Sequence, residues 1–93
     1  MTIGFFQLEL YLPNTHSLKD KRSIITRIRN LVRNKFNVSI AELDYHDKWG
    51  KALVGILTLN NNKKIVLNTL NRAEKFIEAN FDVQVVGSKI EIL

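Results

Sequence analysis

Two strand-like runs with a short link between them constrain this chain more than any other feature. Phe36 to Tyr45 and Ala52 to Leu59 are rich in apolar, β-branched and aromatic residues, and His46-Asp47-Lys48 between them has the chemistry of a tight turn. Parallel strands need a crossover of about a dozen residues or more, so a link this short leaves only an antiparallel hairpin. ALVGILTL, at Ala52–Leu59, is apolar on both sides and therefore belongs in the middle of a sheet, where Gly55 leaves room for something packed close against it. In the first run Phe36, Val38 and Ile40 share one face, after which the apolar positions shift parity to Leu43 and Tyr45. That slip predicts a β-bulge near Ala41–Glu42.

The flanking segments complete the order. Ile3 to Leu12 alternates as a strand, with Phe6, Leu8, Leu10 and Leu12 on one face and Ile3, Phe5, Gln7, Glu9 and Tyr11 on the other. Large apolar side chains on both faces make it central too, and Pro13 ends it for want of an amide. From Ser17 to Lys35 the apolar residues Ile24, Ile25, Ile28, Leu31 and Val32 recur at helical spacing, which predicts one buried face. Ser17 is a natural N-cap, and Asp20 three residues on resembles the second half of a capping box. Asn60-Asn61-Asn62 is turn and cap chemistry before a second helix over Lys63–Asn80, with Val66, Leu70, Ala73 and Ile77 inward. Asp82–Val86 and Lys89–Leu93 read as a last strand or hairpin bent at Gly87-Ser88. The resulting β-α-β-β-α-β order predicts a single α+β domain over residues 1–93 with the ferredoxin-like fold: a four-stranded antiparallel sheet with two helices on one face.

Charge is concentrated on the first helix. Seven of the fourteen basic residues lie there: Lys19, Lys21, Arg22, Arg27, Arg29, Arg33 and Lys35. Only Asp20 opposes them, so this helix carries more than the formal net charge of +5. That balance, with a pI near 9.8, favours polyanionic partners such as RNA, DNA or acidic lipid. The 93 residues contain no cysteine, which excludes disulfides, thiolate chemistry and Cys-ligated zinc and fits a reducing compartment. The apolar start, MTIGFFQLELYLP, lacks a basic leader region and a small-residue cleavage site, and no apolar run approaches the roughly 18 residues of a membrane span. A cytoplasmic location with no membrane partner is therefore expected.

SLKDKRS at Ser17–Ser23, FNVSIAELD at Phe36–Asp44, and the Asp47-Lys48-Trp49 segment leading to Gly55 together resemble the YlxP-like family of small bacterial proteins, a domain of unknown function. An apolar first strand ending in proline fits as well, whereas Asn60–Lys64 and Val86–Leu93 depart from the pattern. The resemblance implies the same ferredoxin-like fold. It also implies a link to translation or ribosome maturation, because genes of this family often neighbour those of initiation and ribosome-maturation factors. It implies no catalytic residues.

Four groups of residues are candidates for function. At 100° per residue Lys19, Arg22, Arg29 and Arg33 gather on one outward flank of the first helix, where they could follow a phosphate backbone or simply keep the surface solvated. At the start of that helix Ser17, Lys21 and His16 could hold an anion with the free amides, in competition with the cap formed by Ser17 and Asp20. Lys21 alternatively covers apolar surface with its stem. Glu42, Asp44, His46 and Asp47 have the spacing of a metal site, but an ion pair from Glu42 or Asp44 to the basic helix is the stronger expectation, and no metal is predicted. Ile3, Phe5 and Tyr11 should lie on the sheet face opposite the helices, where they could stack bases or, better, bury themselves in a homodimer. Trp49, beside a turn, is expected against a helix end or as an anchor for a partner.

Acylphosphatases share this architecture and use an arginine in a glycine-rich first loop, but here that loop is LPNTHS, with neither. No GxSxG or cysteine nucleophile is present. The expectation is a non-enzymatic, cofactor-free protein that binds RNA or a ribosomal component through its basic helix. The alternative is a homodimeric interaction module with no nucleic-acid role.

Overall fold

The computed structural model describes Met1–Leu93. Its elements are β1 (Thr2–Tyr11), α1 (Leu18–Lys35), β2 (Ser39–Asp44), β3 (Lys51–Asn60), α2 (Lys63–Asn80) and β4 (Gln84–Ile92). The strands form one antiparallel sheet in the order β2-β3-β1-β4, so the two doubly apolar strands are central. Both helices cover one face, which gives the ferredoxin-like α+β arrangement. Phe6, Leu8, Leu10 and Leu12 from β1 and its end meet Val54 and Ile56 of β3, Ile25, Ile28 and Val32 of α1, and Val66, Leu70, Ala73 and Ile77 of α2 in a continuous core.

Glycine permits the closest approach of helix to sheet. A Cβ on Gly4 would lie 2.5 Å from Val66 Cγ1 and 2.9 Å from Leu70 Cδ1, so α2 rests directly on the β1 backbone. Gly55 does the same on the open face, where a Cβ would meet Leu43 Cδ1 at 2.7 Å and Phe5 Cε1 at 3.0 Å.

Several boundaries differ from the sequence pattern. β2 starts at Ser39 because Phe36 serves α1: its amide donates to Val32 O and its buried ring packs edge-on to Phe76, with centroids 5.8 Å apart. The bulge lies between Glu42 and Asp44, with Leu43 as the extra residue, slightly beyond Ala41–Glu42. β4 is one strand and not a hairpin. Its irregularity is a register shift opposite Glu9 and Leu10 that leaves Val86 unpaired, and the ladder runs on through Gly87 and Ser88. Leu31 is 43% exposed, at the margin of the apolar sector of α1 and not within it. The link from Tyr45 to Gly50 is longer than the turn residues alone suggest, and Tyr45 takes up the left-handed region at φ 64°.

Candidate functional site

The first turn of α1 is closed locally. Ser17 Oγ accepts from the Asp20 amide at 3.0 Å, and Asp20 Oδ2 accepts from the His16 amide at 3.1 Å. This is a capping box whose return arm reaches one residue further back. One turn on, Lys21 points into the protein with no solvent exposure. Its ammonium lies 2.8 Å from Glu42 Oε2 and donates to the carbonyls of Tyr45 and Lys48. An ammonium has three protons and here three acceptors, so Lys21 has nothing left for an external anion. Ser17 is equally committed to its cap, and the exposed His16 ring turns toward Trp49, 6.1 Å away between centroids. The three residues expected to cradle an anion therefore do not converge as free donors.

Glu42 is held from two sides. Its side chain is 4% exposed, and Arg22 Nη2 reaches its other oxygen at 2.6 Å. Burial alone would raise the carboxyl pKa. The hydrogen bonds from Lys21 and Arg22, with the two charges, outweigh it and hold Glu42 below the ordinary carboxylate range. The expected ion pair between Glu42 and the basic helix is thus present. The bulge turns Asp44 to the opposite face, and no group of acidic and histidine side chains is placed to hold a metal ion.

The outer ridge is less uniform than its spacing implies. Lys19, Arg22, Arg29 and Arg33 fall within an arc of roughly 80° on an ideal helix. Lys19 and Arg33 are exposed without an acidic partner, and Arg22 is partly neutralised by Glu42. Arg29 is half-buried, its Nε enclosed without a hydrogen-bond partner and its charge unpaired by any carboxylate. Three unpaired cations thus span about 21 Å of helix. Arg27 lies on the opposite flank, its guanidinium 5.5 Å from the Phe81 ring centroid. On the open sheet face Ile3 and Phe5 are half-buried and Tyr11 is exposed, alongside Leu43, Leu57 and Leu59, which are also exposed.

A second feature escaped the sequence reading. Tyr11, Asp47, Lys48, Trp49, Gly50 and Lys51 line a shallow cleft of about 380 Å³ at the end of the sheet where α1 begins. The β1–β3 register places Tyr11 opposite Lys51, which brings the end of one strand beside the link preceding the other. Pairing the two central strands antiparallel on paper would have shown this juxtaposition. Trp49 is 46% exposed beside His16 and is not packed away against the helix end.

Residues 3–90 match the family described as a protein of unknown function (DUF503). The match reaches well into β4, further than the motifs at Ser17–Leu59 indicate. The chain is also 38% identical over 77 residues to the uncharacterized protein YlxP of Bacillus subtilis (strain 168), an alignment covering 83% of this chain and 84% of that protein. Matched from its first strand into its last, the chain belongs to the YlxP-like family of proteins of unknown function.

Proposed function

We propose that the protein is a non-enzymatic, cofactor-free RNA- or ribosome-associated factor of the cytoplasm, acting in translation or ribosome maturation through the outer ridge of α1. The observation that carries this reading is a single-sign row: Lys19, Arg29 and Arg33 stand along one flank with no carboxylate paired to them. A surface that only confers solubility normally mixes both signs. Guanidinium groups suit phosphate oxygens, and each neutralised phosphate adds salt-sensitive affinity. Arg22 contributes less, because Glu42 already takes up much of its charge.

The test is a pull-down of tagged protein from bacterial lysate with and without RNase, paired with RNA binding at several salt concentrations. Ribosomal particles or RNA are expected on the beads and absent after RNase. Combining Lys19→Ala, Arg29→Ala and Arg33→Ala is expected to flatten the salt slope by about 2 if three single-strand phosphates are contacted. Unchanged RNA affinity in that variant refutes the ridge, and a protein partner surviving RNase favours an interaction module without a nucleic-acid role.

The open sheet face supports homodimer formation beside this activity. Ile3, Phe5, Leu43, Leu57 and Leu59 form an apolar centre. Glu9, Lys89 and Glu91 lie beside it, so a two-fold axis can set opposite charges against each other. Sedimentation equilibrium is expected to give a dimer for the native protein and a monomer for Leu57→Glu. A native monomer at micromolar concentration refutes the dimer.

A further inference from the structure

The cleft between Tyr11 and Trp49 has the parts of a stacking site, and it lies near the start of the helix that carries the ridge. Both aromatic side chains are close to half exposed, Tyr11 at 45% and Trp49 at 46%. Its volume of about 380 Å³ lies at the small end of the range for pockets that hold small molecules. Lys48 and Lys51 contribute two cations against one carboxylate, that of Asp47, so the lining is net positive. The His16 ring lies 6.1 Å from Trp49 at an interplanar angle of 51°, and Lys19, the first cation of the ridge, follows three residues later. Through His16 the cleft therefore adjoins the start of α1, the helix that carries the ridge.

The cleft is also held in shape. The Leu12 amide donates to Gly50 O at 2.9 Å, and the Thr15 hydroxyl, itself buried, bonds to Trp49 O. Lys21 fixes the carbonyls of Tyr45 and Lys48 from beneath. The Lys51 ammonium sits 4.2 Å from the Tyr45 ring centroid. Backbone pinned at both ends of the link keeps the Trp49 ring exposed before any ligand arrives, which lowers the ordering penalty on binding.

We propose that this cleft receives an unpaired base of a single-stranded RNA whose phosphates run on along the α1 ridge. The inference rests on the RNA reading above and names its ligand class: single strand, not duplex. A base in a duplex is stacked on its neighbours and cannot present its face to Tyr11 or Trp49, whereas a splayed base can. Asp47 is the only acceptor-only side chain in the lining. It favours a base with an exocyclic amine, such as cytosine, over uracil.

Trp49 is the only tryptophan, so its fluorescence reports on the cleft alone. The experiment titrates the native protein with oligocytidylate, oligouridylate and a duplex RNA of equal length, following Trp49 emission and, separately, the anisotropy of end-labelled RNA. Oligocytidylate is expected to quench Trp49 saturably and to bind more tightly than oligouridylate. The duplex is expected to raise the anisotropy without quenching. Tyr11→Ala is expected to weaken single-strand binding by roughly five- to a hundredfold and to leave duplex binding unchanged. Anisotropy that rises with single strands while Trp49 emission stays constant overturns the cleft and leaves the ridge standing. No binding by either readout overturns both. Equal quenching by a poly-glutamate peptide also overturns the proposal, since a protein would then be the occupant.

Discussion

Glutamine at position 42 keeps the size of the side chain and one acceptor oxygen but removes the charge opposite Lys21. In the native protein that ammonium has no exposure and lies 2.8 Å from a carboxylate that is itself 4% exposed. Removing one partner of a buried ion pair costs about 3–5 kcal/mol, chiefly because the other charge stays buried without compensation. Glutamine can still accept one hydrogen bond, and Arg22, 46% exposed, returns to solvent without difficulty. The lower end therefore applies, and Glu42→Gln is expected to lose about 3 kcal/mol at pH 7. For a chain of this length that corresponds to a fall in Tm of roughly 12–24 °C. The pH dependence has a fixed sign. The folded pKa of Glu42 lies below its unfolded value, which is about 4.5. Its stabilisation is thus complete above the unfolded pKa and disappears as the pH falls through the folded one. Urea denaturation followed by circular dichroism at pH 7, 5 and 3 measures this directly. The difference between native protein and variant is expected to be full at pH 7, to shrink as the pH drops past the unfolded pKa, and to close only below the lowered folded pKa, where position 42 is neutral in both. A difference under about 0.5 kcal/mol at pH 7 would refute the buried-charge argument. A difference equally large at pH 3 would assign the loss to packing.

Two pairs of substitutions test the charge and packing geometry elsewhere. Arg33→Ala removes an exposed, unpaired side chain and is expected to change stability by less than about 0.5 kcal/mol. Arg22→Ala takes a partner from Glu42 and is expected to cost about 1 kcal/mol, the half-exposed guanidinium being partly screened; equal values for the two would sink the distinction. Gly4→Ala drives a methyl group into Val66 and Leu70 and is expected to cost about 1–3 kcal/mol. Gly50→Ala meets nothing within 4 Å and is expected to be close to neutral, both being read from chemical denaturation.

Local chemistry and periodicity were enough for much of the fold. The bounds of α2, Lys63–Asn80, follow from the asparagine cap and from the spacing of Val66, Leu70, Ala73 and Ile77. The central positions of β1 and β3 follow from apolar residues on both faces. What periodicity could not supply is where neighbouring elements stop. Leu31 and Arg29 lie at the two margins of the buried sector of α1, and only the packing decides that the leucine is exposed and the arginine half covered. Phe36 fits the alternation of a strand, but a helix end needing a cap and the Phe76 ring claim it first. The ridge was legible as a row of charges. Its partial neutralisation by Glu42 was legible only as an expectation, because the Lys21–Glu42 contact spans 21 positions and depends on where β2 bulges.

That bulge links the two surfaces. The extra residue Leu43 lets Glu42 stay on the helix side, beneath Lys21 and Arg22, while Leu43 itself leans over Gly55 on the open face. Asp44 then accepts from the Tyr45 amide at 2.7 Å, and the chain turns through a left-handed Tyr45, a conformation that costs a bulky residue about 1–3 kcal/mol. The turn is held by the Lys48 amide on Tyr45 O and by Lys21, which binds both link carbonyls. The ammonium balanced by Glu42 is therefore the same group that supports the cleft. Glu42→Gln is expected to accelerate amide exchange at Lys48 and Leu12, whose hydrogen bonds close the link, relative to the mid-α2 amides. Uniform acceleration across the chain would mean that the charge only adds global stability. Selective acceleration would show that the ridge and the cleft share one buried support.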